Sequence, residues 1–241
     1  MKKQLLRLAN GLLSPAGVAL TRAGGDMESI LKQIAGWDHG VNSVLDLGAA
    51  RGHWSGMALD LFSKARVVGV DPLNEREPYL SALKAQNSRY DYVLAVAGKD
   101  DGGTVELAVT DDLDGSTIHG HEGRMRTVPV HSVDAIVEMK GLKGPFFLKF
   151  DTHGFEKPIL ESAEKTLAQT KYMVMEAYNY RHSPDTLLFH EMIAYLEPKG
   201  FRVFNLADPL QRPTDGALWQ MDLFFARADD PIFRSNSYRL G

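Results

Sequence analysis

Asp46, Asp71, Asp151 and Glu176 each stand at the end of a short apolar run, and His153 follows Asp151 by two residues. In an open α/β sheet, ligands bind outside the carboxyl ends of the strands, so the four carboxylates are predicted to converge on one sheet edge. A carboxylate there can accept hydrogen bonds from hydroxyls, take up a proton or offer oxygens to a hard cation. A free imidazole titrates at about 6.5, which suits removal of a hydroxyl proton near neutral pH. His153, Asp151 and Glu176 are therefore the catalytic candidates. His153 as a plain helix cap is the competing reading. Asp151, Glu176 and Asn179 could also hold Mg²⁺, but capping and pairing with Lys149 and Arg181 account for the same residues, and no metal is assigned.

These groups need a frame. Val44, Leu45 and Leu47 make a buried strand that runs into Gly48-Ala49-Ala50-Arg51-Gly52, and Trp54, Met57, Ala58, Leu61 and Phe62 then recur at helical spacing. Strand, glycine turn and helix in that order form a cradle with backbone N–H groups gathered at the helix start. The dinucleotide fingerprint Gly-x-Gly-x-x-Gly is not met, because Ala50 lies between Gly48 and Gly52. A second apolar run, Val67 to Val70, ends in Asp71-Pro72. An acid closing the second strand, on the order of 20 residues after the glycine turn, is where ribose hydroxyls are held. The pattern Asp46-x-Gly48-x-x-x-Gly52 resembles motif I of class I S-adenosylmethionine (SAM) methyltransferases. That resemblance implies SAM as cofactor, with Gly48, Ala49, Ala50 and Gly52 along its methionine part and Asp71 on its ribose. Asp46 at the strand end would suit a ligand that carries an ammonium and a sulfonium.

In chain order, Leu5, Leu6, Leu8, Leu12 and Leu13 with Lys2, Lys3 and Arg7 read as an amphipathic helix. Asn10, Gly11 and Pro15 interrupt it, so it is too short to span a membrane. Residues 1–25 are expected to be an N-terminal helical extension that packs on the domain or on a second copy of the chain. Contact with a membrane surface is the lesser alternative. Asp26 is the predicted N-cap of a helix with Ile30, Leu31 and Ile34 inward. Residues 92–97 read as a third strand, followed by a turn whose Asp100 and Asp101 could reach an adenine amine. Residues 104–109 and 126–130 alternate as antiparallel strands around the polar loop 111–123. That loop is a lid or simply mobile, and its His119 and His121 are poorly placed to share a metal. A fourth strand at 145–151, a helix through Ile159 to Leu167, a fifth strand at 171–177, a helix at 187–196 and a closing hairpin complete one domain, residues 26–241.

At residues 147–164 the chain resembles the FkbM-type methyltransferases. Lys149, Asp151, Gly154, Phe155, Glu156, Leu160 and Ala163 match their Lys-x-Asp-x-Glu-Gly-x-Glu-x-x-Val-Leu-x-Gly-Ala signature, with His153 where Glu is usual and Ser162 where Gly is common. Asp46 to Ala49, Gly52, Trp54, Asp71-Pro72, Ala97 and Met175-Glu176 fit the same family in order. The resemblance implies a Rossmann-like class I fold, mostly parallel with an antiparallel C-terminal strand and helices on both faces. It implies SAM-dependent O-methylation of a hydroxyl on a sugar, glycan or secondary metabolite. Trp54, Pro72 and Ala97 then join the cofactor site. The run Tyr178 to His182 suits a hydroxylated acceptor.

Composition narrows the partners. The 241 residues carry a net charge of −4 and no cysteine. An acidic chain is a poor counterpart to a phosphate backbone, so no nucleic-acid partner is expected. The absence of thiols excludes disulfides and thiolate metal sites and fits a reducing cytoplasm. Two other classes stay open: a SAM-fold subunit without turnover, and a nicotinamide-dependent reductase, which lacks a Tyr-x-x-x-Lys pair near the fourth strand.

Overall fold

The computed structural model describes residues 25–37, 40–99, 101–118, 123–181 and 183–238. The expected helix at residues 1–22, Asp100, His119, His121 and His182 lie outside the described residues. Among those described, no helix is long and apolar enough to cross a membrane.

Five parallel strands build the sheet: β1 (Ser43–Leu47), β2 (Arg66–Val70), β3 (Tyr90–Val93), β7 (Phe146–Phe150) and β8 (Thr170–Tyr178). With β10 (Leu218–Arg227) and β9 (Phe201–Gln211) the order is β3-β2-β1-β7-β8-β10-β9, and the last two strands run antiparallel. Strands covered on both faces need apolar side chains on both, and β7 shows the division. Phe146, Leu148 and Phe150 pack toward helices α4 (Val133–Met139), α5 (Glu156–Glu161) and α7 (Phe189–Leu196). Phe147 points the other way, against α1 (Met27–Gly36) and α2 (His53–Leu61), where Trp54 and Phe62 meet its ring edge-on at 5.7 and 5.6 Å. Asp26 caps α1 as predicted, accepting from Ser29 N–H at 2.8 Å. This is the Rossmann-like fold, with a mostly parallel twisted sheet and helices on both faces.

Two expected elements divide. The third strand ends at Val93, and Val96–Ala97 forms a separate strand, β4, that pairs with β6 (Arg124–His131) in a small sheet ordered β4-β6-β5. Its other member is β5 (Gly103–Val109). Leu107, Val109, Val128 and Val130 have their own apolar cluster to fill, which draws the chain off the main sheet. The helix through Ile159 to Leu167 breaks into α5 and α6 (Glu164–Leu167). The Ser162 hydroxyl donates to the carbonyls of Ile159 and Gly98 at 2.9 and 2.7 Å, so this side chain competes with the helix's own bonding.

Candidate functional site

Strand register assembles the site. Leu47 pairs with Val70 and with Phe150, and Phe150 pairs with Met175. The next residues along those four strands are Asp71, Gly48, Asp151 and Glu176, and antiparallel pairing sets Asp222 opposite Glu176. Gly48 stands second in this row, between Asp71 and Asp151. Its φ is +82°, and an added Cβ would stand 1.9 Å from the Asp151 carbonyl oxygen, so only glycine fits.

Asp46 lies two residues short of the row and is fully buried. Its carboxylate is taken by Ser55 Oγ at 2.6 Å and Lys149 Nζ at 2.9 Å. The expectation that Asp46 faces a cationic ligand is thus corrected: it anchors the cradle from below. Lys149 also reaches the Gly48 carbonyl at 3.0 Å and Asp151 Oδ2 at 3.2 Å. Burial opposes its charge, but Asp46 and Asp151 hold its pKa above the ordinary lysine value. One ammonium therefore ties the glycine turn to the strand behind it.

Asp71 is the acid that does reach the cleft. Its two oxygens accept from Ala50 N–H and Leu73 N–H, each at 2.9 Å. Ala50 has a left-handed φ of 47°, a conformation disfavoured for alanine, and this bond fixes it there. Burial raises the Asp71 carboxyl against these two bonds. Gly48, Ala50, Asp71, Pro72 and Ala97 line one lobe of the cleft, about 330 Å³ in volume, with Val96, Leu107 and Phe155 as apolar wall. Ala49 and Trp54 line a second lobe of about 460 Å³, which ends on Asp151, Glu176 and Asp222. Gly52 faces neither lobe. It supplies the left-handed turn before α2, φ +77°, and rests against Leu80 and Leu83. Asp101 is turned to His131, 3.4 Å away, and does not line the cleft.

His153 and Glu176 meet at the bottom of the first lobe. The chain turns through left-handed conformations at His153 (φ 53°) and Gly154 (φ 89°), which brings side chains two residues apart to one spot. Ligating atoms of Asp151, His153 and Glu176 all fall within 4.8 Å of one another. Glu176 Oε2 accepts from the Tyr178 hydroxyl and Oε1 from Gln220 Nε2. His153 Nδ1 lies 3.2 Å from Tyr178 Oη and 3.6 Å from Glu176 Oε2. Burial, then the charge of Asp151, pushes Glu176 up to about 8. Burial acts on Asp151 as well, but Lys149 and His153 outweigh it and hold that carboxyl below its usual range. The two acids thus divide: Asp151 carries the charge and Glu176 tends to keep a proton.

This donor set does not favour Mg²⁺. Both Glu176 oxygens are in use, an ammonium sits on Asp151, and Asn179 donates to the Leu218 carbonyl at 3.2 Å. The acceptor-binding run is only partly in place. Tyr180 stacks on Trp219 at 5.3 Å beneath the Arg212 guanidinium, and Arg181 pairs with Glu191, leaving Tyr178 to face the carboxylates.

Sequence reading missed Arg76, Asp114, Gln220 and Asp222. Arg76 is 3% exposed, borders both lobes and pairs with Asp114 from the polar loop. Gln220 and Asp222 alternate along β10 on the face turned to the site, a signal that strand pairing alone reveals.

No curated protein matches the sequence. Among solved structures, a 1,6-didemethyltoxoflavin-N1-methyltransferase from Burkholderia thailandensis superposes with a TM-score of 0.47 at 14% identity, covering 84% of this chain and 78% of that one. An rRNA methylase from Streptococcus thermophilus gives 0.48 at 12% identity, covering 87% and 99%. The magnesium protoporphyrin IX methyltransferase of Synechocystis PCC 6803 gives 0.45 at 11%, covering 83% and 79%. The methyltransferase FkbM domain matches residues 46–203, from the buried acid of β1 into β9 and more than half of the chain. The protein belongs to the FkbM methyltransferase family.

Proposed function

We infer that the protein is a SAM-dependent O-methyltransferase acting on a hydroxyl of a sugar, glycan or secondary metabolite, with His153 as the base. One observation carries the cofactor reading. Asp71, Pro72, Gly48 and Ala50 share an apolar-walled lobe, and the Asp71 carboxylate is already fixed by the Ala50 N–H of the cradle and the Leu73 N–H beyond β2. A ribose diol and an adenine ring fit that donor set, a carboxylate to accept two hydroxyls beside apolar walls for a flat base. SAM bound there supplies an electrophilic methyl group on a sulfonium. Asp71 orients the nucleoside through its remaining lone pairs. Trp54 and the Gly48–Ala50 backbone bound the second lobe, where the amino-acid end would lie.

The acceptor reading rests on the bottom of the cleft. Displacement at a methyl group needs an oxygen held in line at roughly 3 Å. An alcohol is a weak nucleophile until its proton leaves, and His153 stands at the bottom of the first lobe beside Asp151 and Glu176, the two acids that line both lobes. Asp151, held ionised, faces the positive charge that this proton creates on the ring.

Calorimetric titration of SAM into the parent protein and Asp71→Ala tests the cofactor. Charge-assisted hydrogen bonds are worth roughly 1.5–3 kcal/mol each, so affinity should fall at least tenfold. Unchanged affinity would overturn the assignment. Radiolabelled methyl transfer to a panel of monosaccharides, methyl glycosides and polyketide alcohols tests the acceptor. Methylation of a protein or RNA with none of these would reject the class proposed.

A further inference from the structure

We propose that Tyr178 and Glu176, with Gln220 behind them, are positioning residues that fix the tautomer of His153 and present its Nε2 lone pair to the acceptor hydroxyl. The proposal deepens the reading of His153 as base and rests on it. The argument is one of hydrogen-bond direction. An ionised carboxylate has no hydrogen to give, so the bonds at both Glu176 oxygens are donated to it, by Gln220 Nε2 and by Tyr178 Oη. Tyr178 has one hydroxyl hydrogen, and that bond uses it. Its oxygen can then only accept from His153 Nδ1, 3.2 Å away. Nδ1 therefore carries the hydrogen, and in a neutral imidazole the lone pair must sit on Nε2.

The same chain runs backward when Glu176 is protonated. Glu176 hydrogen-bonds Asp151 as well as Tyr178; where its hydrogen goes to Tyr178, Tyr178 donates to Nδ1 and the imidazole hydrogen moves to Nε2, which can no longer accept a proton. Ionising Glu176 removes one proton from the assembly and restores the base. The groups that face Glu176 are Asp151 at the end of β7, Glu156 on α5, Asp222 on β10, and His153 and Tyr178 within the chain itself. Burial and the negative charge of Asp151 place its ionisation at about 8, so the base should be switched on in mildly alkaline solution. Strand pairing keeps the assembly in register, since Gln220 lies opposite Tyr178 across β8 and β10. A base oriented through a third group is a general device for proton transfer, and the wrong tautomer removes most of its effect.

The decisive measurement needs no acceptor. Full-length protein labelled with ¹⁵N at histidine would be followed by NMR from pH 6 to 10, with assignment of His153 through His153→Ala. We expect Nδ1–H at pH 9 in the parent, giving way to Nε2–H as Glu176 is protonated. Tyr178→Phe should lose the Nδ1–H form at every pH, and Glu176→Gln should abolish the pH-dependent exchange. Tyr178→Phe, at a residue that lines neither lobe, should bind SAM within about twofold of the parent. On a panel acceptor, Tyr178→Phe should lower kcat on the order of 10²-fold with KM nearly unchanged. Nε2–H in the parent at pH 9, or Nδ1–H retained in Tyr178→Phe, overturns the proposal. Should Tyr178→Phe unfold, Glu176→Gln decides by the same spectrum. The two readings fail separately. A parental rate in His153→Ala overturns the base itself, whereas the wrong tautomer with an inactive His153→Ala overturns the chain behind it alone.

Discussion

At the residue scale, what distinguishes the site is where a side chain is missing. Gly48 stands between Asp71 and Asp151 in a row that otherwise carries carboxylates. Its absent Cβ lets the turn press against the end of β7. Gly48→Ala should therefore do two kinds of damage. A left-handed φ costs a non-glycine residue on the order of 1–3 kcal/mol, and the overlap with Asp151 can only be relieved by parting β1 from β7. At roughly 2–4 °C per kcal/mol for a chain of this size, the melting temperature should drop by about 5 °C or more, with SAM affinity lost. Gly102→Ala isolates the first term, since Gly102 has φ +77° but no atom within 4 Å of an added Cβ. Equal melting temperatures for the two variants would refute the steric account. The glycine turn and Asp71 were legible in the sequence because strand ends and glycines are local signals. The burial of Asp46 was not, because it depends on Lys149 from a strand about a hundred residues away.

At the scale of elements, the small sheet and its loop form the wall that local patterns described least well. Alternation marked β5 and β6 correctly as an antiparallel pair, but nothing local announced that Val96 and Ala97 would leave the main sheet to join them. Residues 113–118, after β5, fold back over the cleft. Leu113 and Ile118 pack onto the apolar cluster of this sheet, and Asp114, with its side chain 77% exposed, pairs with the buried Arg76. A guanidinium withdrawn from water needs an anion near it, so this pair helps to seat the loop, together with the two backbone hydrogen bonds between Ala108 and Thr117. Asp114→Ala should open residues 110–118, raising their rate of cleavage by a nonspecific protease several-fold in limited digestion. SAM should slow the cleavage if the loop borders the bound cofactor. An unchanged cleavage rate would show that Leu113, Ile118 and the Ala108–Thr117 backbone bonds hold the loop without the ion pair.

For the whole molecule, one sheet edge gathers acids whose protons are held more tightly in the fold than in the unfolded chain. Glu176 is raised to about 8 and Asp222 to about 7, both chiefly by burial and then by Asp151, and burial raises Glu156 and Asp71 as well. A carboxyl raised on folding stabilises the fold fully at pH below its unfolded value near 4, and loses that contribution as pH climbs through its folded value. Glu75 and Asp91 act in the opposite sense: Arg126 hydrogen-bonds the first, and Lys140 and Lys84 outweigh burial at the second. Both lie near 2, so their contribution is constant above about pH 5 and is lost only in acid. Between pH 5 and 9 the raised acids give a downward slope, and the melting temperature should fall across that window. Asp222→Asn isolates one of them. It keeps the shape and removes a charge that at pH 9 is buried near Asp151 and Asp208. The variant should gain thermal stability over the parent at pH 9 and much less at pH 5, in calorimetric scans of the protein without cofactor. An equal shift at both pH values would mean that the amide changes packing and not charge. A gain confined to high pH would mean that the acids at this edge owe their place to cofactor and acceptor binding at a standing cost in stability, the usual relation between a site and its fold.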